Sequence, residues 1–143
     1  MGFMNIQEIL DNYKTSVYEQ DVNRFLSAYA SDIHIYDCWN EWECMGIERW
    51  KESVQEWFNG LKEESVVLHV HFNDVRVEEE ESLAFVYCAV TFAAHDQGGE
   101  KLRQLTNRFT IGLQKVKDSW IIIHEHSSLP ISSETNEGMF HLR

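Results

Sequence analysis

The apolar residues of this chain change their period once, near residue 65, and that change limits the folds open to it. Up to Leu61 most of them recur every three or four positions, the spacing that lines one face of a helix. From Ser65 to Ser128 they recur every second position, the spacing of strands joined by short turns. Helices gathered early and strands gathered late predict an α+β domain, with the helices on one face of a curved antiparallel sheet.

Ile6, Ile9, Leu10, Tyr13 and Val17 mark a first amphipathic helix over roughly 3–18. Asp21 is the expected N-cap of a short second helix, with Val22, Phe25, Leu26 and Tyr29 as its buried face. "DIHIYDCW" alternates, so Ile33, Ile35, Asp37 and Trp39 share one face of a strand, and His34, Tyr36 and Cys38 the other. Gly46 follows a loop and opens a third helix through Ile47, Trp50, Val54, Trp57, Phe58 and Leu61.

The late strands come next in order. The first carries Leu68, Val70 and Phe72 on one face and ends at the acidic turn "EEEES". "LAFVYCAVTFAA" is apolar on both faces and is expected to be central and covered on both sides. "DQGG" is a turn signal, and the closing hairpin turns at Lys117-Asp118-Ser119. The chain has one proline, Pro130, and neither repeats nor low-complexity blocks. One domain over 1–130 is expected, with a polar, loose tail over 131–143.

Composition excludes several classes of function. Aromatic residues make up 13% of the 143 positions, enough apolar surface to offset the entropy of ordering the chain. Acidic residues outnumber basic ones by 24 to 12, for a formal charge of -12, which disfavours nucleic acid as a partner. No apolar run approaches 18 residues and no apolar segment follows a basic start, so neither a membrane span nor a signal peptide is expected. Cys38, Cys44 and Cys88 form no CxxC pattern and fit free thiols in a reducing cytoplasm.

Three stretches carry a resemblance to a known family: "LSAYASDIHIYDCW", Gly46 opening the third helix, and "NRFTIGLQKVKDSWIIIHEHSSLP". Together they resemble the NTF2-like (cystatin-like) superfamily over about residues 5–130, in particular its SnoaL-like and ketosteroid isomerase-like domains. The resemblance implies a cone of three N-terminal helices packed on a strongly curved antiparallel sheet. Its pocket would lie on the concave side, and no cofactor would be needed. On that scaffold Asp37 falls on the position of ketosteroid isomerase's catalytic base. Tyr13, 24 residues earlier, matches the tyrosine that donates to the enolate oxygen. The isomerase's second, acidic donor has no match, because Ile111 stands there.

Each candidate also has a plain structural reading. Asp37 either lines a pocket as a base with a raised pKa or ends its strand and caps the loop after it. Tyr13 is either a donor or ordinary core with its hydroxyl satisfied. Strict alternation along the last strand sets Trp120, Ile122, His124, His126 and Ser128 on one face and Ile121, Ile123 and Glu125 on the other. Pairing apolar with apolar puts Phe109, Ile111 and Leu113 beside Trp120 and Ile122 and makes that face concave. His124 and His126 are then expected in one cavity with Asp37, with no metal between them. His124 would serve as acid or polar anchor, His126 and Ile111 as ligand contacts, and Trp39 and Trp120 as walls. Glu125 would face outward beside Arg108, and Ile121 and Ile123 would cover a homodimer contact through the sheet.

Two functions fit this pattern. One is a small-molecule-binding protein with cofactor-free proton-transfer chemistry, isomerase- or hydratase-like. The other is a non-catalytic ligand-binding or oligomerisation domain.

Overall fold

The computed structural model describes residues 2–142. Its element order is α1 (Ile6–Glu19), α2 (Val22–Leu26), β1 (Tyr29–Tyr36), β2 (Cys44–Met45), α3 (Ile47–Glu64), β3 (Val67–Glu79), β4 (Leu83–His95), β5 (Lys101–Val116) and β6 (Ser119–Ser128). The strands form one six-stranded sheet in the order β2-β1-β6-β5-β4-β3. All neighbours are antiparallel except β1 and β6, which run parallel. The sheet is therefore mixed at one junction, where the chain leaves β1 early and returns beside it last.

Local chemistry explains most boundaries. The Asn5 side chain caps α1 by accepting from the Glu8 N–H at 2.9 Å, and the Glu8 carboxylate accepts from the Met4 N–H at 2.7 Å. Asp21 caps α2 as expected, accepting from the Arg24 N–H at 3.1 Å. That helix ends at Leu26, so Tyr29 does not belong to its face and instead opens β1. Gly46 takes a φ of 89° at the start of α3, a conformation that favours glycine. Lys117 and Asp118 both have positive φ, as a two-residue hairpin of the twist-matching kind requires.

The core lies between the helices and the concave face of the sheet. Ile9 and Val17 of α1 and Val54 and Phe58 of α3 meet Val86, Val90, Ile111 and Leu113 of the sheet. Truncating a residue such as Phe58 to alanine costs about 3–5 kcal/mol in a core of this kind. Register shifts in β3, β4 and between β5 and β6 mark bulges, which bend and twist a sheet.

Two expectations fail here. β4 is not covered on both faces, because it lies next to the edge strand β3 with Leu83, Phe85 and Tyr87 exposed on the convex side. The tail is not loose over its described length. Ser132 N–H donates to the Glu137 carbonyl at 2.8 Å, Ile131 bridges Gly138, and Phe140 stacks on Trp39 with ring centres 5.5 Å apart. No described helix is long and apolar enough to cross a membrane.

Candidate functional site

A cavity of about 550 Å³ opens on the concave side between α1, α3 and the sheet, and Asp37, Tyr13 and Trp39 all line it. Asp37 sits one residue past the end of β1. Its carboxylate accepts from the Ser127 hydroxyl at 3.1 Å and from the backbone N–H groups of Cys38 and Trp39. Asp37 thus both caps the loop and lines the cavity. Burial raises its pKa, and the Ser127 and backbone bonds hold the rise back.

Tyr13 reaches the cavity from the buried face of α1. It packs against Phe25 at 5.0 Å, Phe72 at 5.7 Å and Phe109 at 6.2 Å between ring centres. Its hydroxyl makes no hydrogen bond among the described residues. Burial, followed by the charges of Glu125 and Asp37, pushes its pKa well up, so the phenol stays protonated.

The closing strand departs from strict alternation, and that departure relocates the site. Leu113 pairs with Ile122, but Gly112 pairs with His124, so Ile123 is an extra residue in the ladder. A single extra residue exchanges the faces of everything beyond it. Trp120 and Ile122 face inward as expected. Past the bulge the inward residues are Glu125 and Ser127, and His124 and His126 turn to the convex side. His124 and His126 thus do not share the cavity with Asp37, which corrects the sequence reading. The His124 Nδ1–H donates to the His34 carbonyl at 2.6 Å, and Tyr36 lies between the two rings of His124 and His126 at 5.2 and 5.3 Å.

Glu125 makes the reverse move. It was expected on the outer face beside Arg108, yet it is 4% exposed and lines the cavity. The Tyr29 hydroxyl donates to it at 2.6 Å. Burial pushes its pKa up to about 7, the Tyr29 bond opposes that rise, and the negative charge of Asp37 adds to it. Arg108 stands opposite Ser128 in register and has no carboxylate partner among the described residues.

Trp120 and Ile111 are also not cavity walls. Trp120 is core beside Phe3, with its backbone N–H donating to the Phe3 carbonyl at 2.9 Å. Ile111 is fully buried core that pairs directly across from Glu125. Ile121 and Ile123 are half-buried along a shallow hollow with Phe3 and Ala30.

The sequence reading did not place Tyr29, Trp50, Asn107, Glu125 or Ser127 at the site, nor the wall residues Glu41, Glu43, Arg49 and Glu56. Gly112 was the available signal for Glu125, because an isolated glycine inside a strand often marks a bulge. Trp50 and Asn107 both line the cavity; the Trp50 indole N–H is directed at the Tyr29 hydroxyl, and the buried Asn107 Oδ1 has no hydrogen-bond partner among the described residues. No group of three or more His, Cys, Asp or Glu among the described residues is arranged to hold a metal.

Comparison with known proteins agrees with this architecture. The structure is similar to an NTF2-like protein of unknown function from Pseudomonas putida KT2440, at 20% identity and a TM-score of 0.83, covering 96% of this chain and 93% of that one. It is also similar to an NTF2-like superfamily protein from Salmonella enterica serovar Typhimurium LT2, at 17% identity and a TM-score of 0.66 over 94% of each chain. A third similar structure, from Xanthomonas campestris, is provisionally assigned as a calcium/calmodulin-dependent protein kinase II association domain. It has 18% identity and a TM-score of 0.71, covering 86% of this chain and 84% of that one. At these identities the likeness establishes the fold, an NTF2-like α+β cone. No curated protein sequence matches the chain. The SnoaL-like domain model, however, matches residues 6–132, nearly the whole of the folded part, and the chain belongs to the SnoaL-like domain family.

Proposed function

We propose that the cavity binds a small molecule and moves a proton on it without a cofactor, at a carbon next to a carbonyl group. The observation that carries this reading is a pair of carboxyl groups in one cavity with unlike surroundings. Asp37 is bonded by a hydroxyl and two backbone N–H groups, all of which favour its charged form. Glu125 is fully buried with one hydroxyl partner and holds a proton up to about pH 7. Environments that separate two carboxyl groups in this way assign one as base and the other as acid.

In the proposed step the Asp37 carboxylate takes the proton from carbon. The electron pair moves onto the carbonyl oxygen, which receives a hydrogen bond from protonated Glu125 and a second from the Tyr13 hydroxyl. Asp37 then returns the proton to the same or a neighbouring carbon. Glu125 takes the role that the sequence comparison left empty at Ile111. The two residues pair across the ladder, so the acid arrives from the neighbouring strand.

The test is a screen of carbonyl metabolites by thermal shift, followed by incubation of any ligand in D2O and NMR detection of exchange at the carbon beside the carbonyl. Exchange that disappears in Asp37→Asn supports proton transfer. A thermal shift without exchange returns the protein to its alternative, a non-catalytic ligand-binding domain. Leu83, Phe85 and Tyr87 lie exposed on the convex face of β4, and this favours a further element of the proposal, a homodimer through the sheet. Phe85→Asp should then give a monomer by light scattering.

A further inference from the structure

The wall of the cavity is one-sided in charge. Asp37, Glu41, Glu43, Glu56 and Glu125 line it against a single cation, Arg49. Arg49 is already held by Glu41 and by Glu52, and His34 holds Glu43 at 2.6 Å. Glu56 and Asp37 have no cationic partner among the described residues. Nothing in the described wall is free to receive an anion, and the field of these groups repels one.

The unpartnered polar atoms say more than the charge does. Asn107 is 4% exposed and uses its Nδ2 on the Cys38 sulfur at 3.5 Å, which leaves Oδ1 as an acceptor without a donor. Cys38 N–H donates to the Ser127 hydroxyl at 3.0 Å, and that hydroxyl donates to Asp37 at 3.1 Å. An orphaned amide oxygen and an anionic carboxylate are thus linked through two residues at one place in the wall. Both want N–H donors. Trp50, 6% exposed, points its indole N–H at the Tyr29 hydroxyl of the Tyr29–Glu125 pair, so protonated Glu125 is the group there that can donate to a ligand oxygen. Between them the walls are aromatic, with Trp39, Trp57, Phe92 and Phe109 offering ring faces of the kind that attract a cation.

We infer that the ligand is a compact apolar amine in its ammonium form, with a neutral oxygen acceptor elsewhere on its body. The ammonium is held by Asp37 and Asn107, and the oxygen by Glu125 and the Tyr13 hydroxyl. This inference rests on the cavity being the binding site proposed above and not on the proton-transfer step, because Asp37 here serves as the counter-ion of the ammonium, and it adds the charge of what binds there.

Three indoles that differ in their end group test it by calorimetry at about pH 6, where Glu125 keeps its proton: tryptamine, tryptophol and indole-3-propionate. Tryptamine should bind at least tenfold more tightly than tryptophol, and indole-3-propionate should give no heat. Asp37→Asn should lower tryptamine to about the affinity of tryptophol. Asn107→Ala should weaken tryptamine in the same direction, so the assignment does not depend on one variant folding. Tryptophol binding as tightly as tryptamine, or the carboxylate binding best, would overturn the amine assignment while leaving the cavity as a site. Silence from all three compounds also overturns it, and the metabolite screen then decides the wider reading alone. Tryptamine binding indifferent to both variants would place the ligand elsewhere and remove both readings.

Discussion

Glu125 and His126 are adjacent on β6, yet the first is sealed among aromatic rings on the concave side and the second stands open on the convex side. Adjacent residues on a regular stretch of strand face opposite ways, so this contrast alone is ordinary. The instructive part is which of the two went inward. The sequence pattern assigns the concave face to the histidines, continuing the parity of Trp120 and Ile122. The extra residue at Ile123 gives that face to a carboxyl group instead. One residue of ladder thus decides whether the pocket is lined by imidazoles or by an acid, and with it the chemistry the pocket can perform.

The largest test of that contrast is a change of length. Inserting one alanine between His124 and Glu125 turns Glu125 outward, breaks its bond to Tyr29 and carries His126 into the dry interior. That should cost more than about 3 kcal/mol in urea unfolding, or prevent folding altogether. Deleting Ile123 should behave differently, because a regular ladder through Ile122 and His124 keeps Glu125 inside. An insertion variant as stable as the parent would break the account of the bulge.

Next in size is the replacement of Glu125 by glutamine. In the folded chain Glu125 keeps its proton up to about pH 7, against 4.5 for an ordinary glutamate. The folded state therefore binds more protons than the unfolded state between those values, and its stability falls as pH rises through that window. Above pH 7 the full penalty of the buried charge applies, about 3 kcal/mol at most. Glu125→Gln removes it, so the variant should gain stability above pH 7 and gain nothing below pH 4.5. Parallel unfolding curves at pH 4 and pH 8 measure both ends. An equal difference at the two pH values would contradict a buried, protonated Glu125.

The sequence made the scaffold legible because its signals are local. The spacing of Ile6 to Val17, the Asp21 cap, the glycine at Gly46 and the turn at Lys117-Asp118 each depend on a few neighbours, and each lies where it was expected. Asp37, Tyr13 and Trp39 were also readable, since all three precede the bulge and their positions follow from elements set by local pattern. Glu125 was not readable by alternation. Three isoleucines in succession leave the parity of the next residues undetermined, and Gly112 sits on the opposite strand at the place where the parity breaks. An added Cβ at Gly112 would meet the His124 Cβ at 3.6 Å and an Ile123 side-chain carbon at 3.9 Å, ordinary contacts that place the bulge directly beside the glycine. Trp50 and Asn107 read as core and strand residues, and spacing alone does not tell that they line the cavity or that the Asn107 Oδ1 is left without a partner among the described residues.

The smaller tests lie on the convex side. His124→Ala removes the hydrogen bond to the His34 carbonyl that ties β6 to β1, and a half-exposed bond of this kind is worth about 1 kcal/mol. Thermal unfolding should report that loss, and ligand affinity should stay as it was. His126→Ala should do still less. Its ring is exposed, it forms no hydrogen bond among the described residues, and its main neighbour is the half-open ring of Tyr36 at 5.3 Å. A surface substitution of this sort falls within about 0.5 kcal/mol of zero. Measured beside Glu125→Gln in the same calorimetric titration, His126→Ala should leave cavity binding unchanged while its neighbour alters it. If His126→Ala weakens the ligand and Glu125→Gln does not, the ligand sits on the convex face, and the concave cavity is not the binding site.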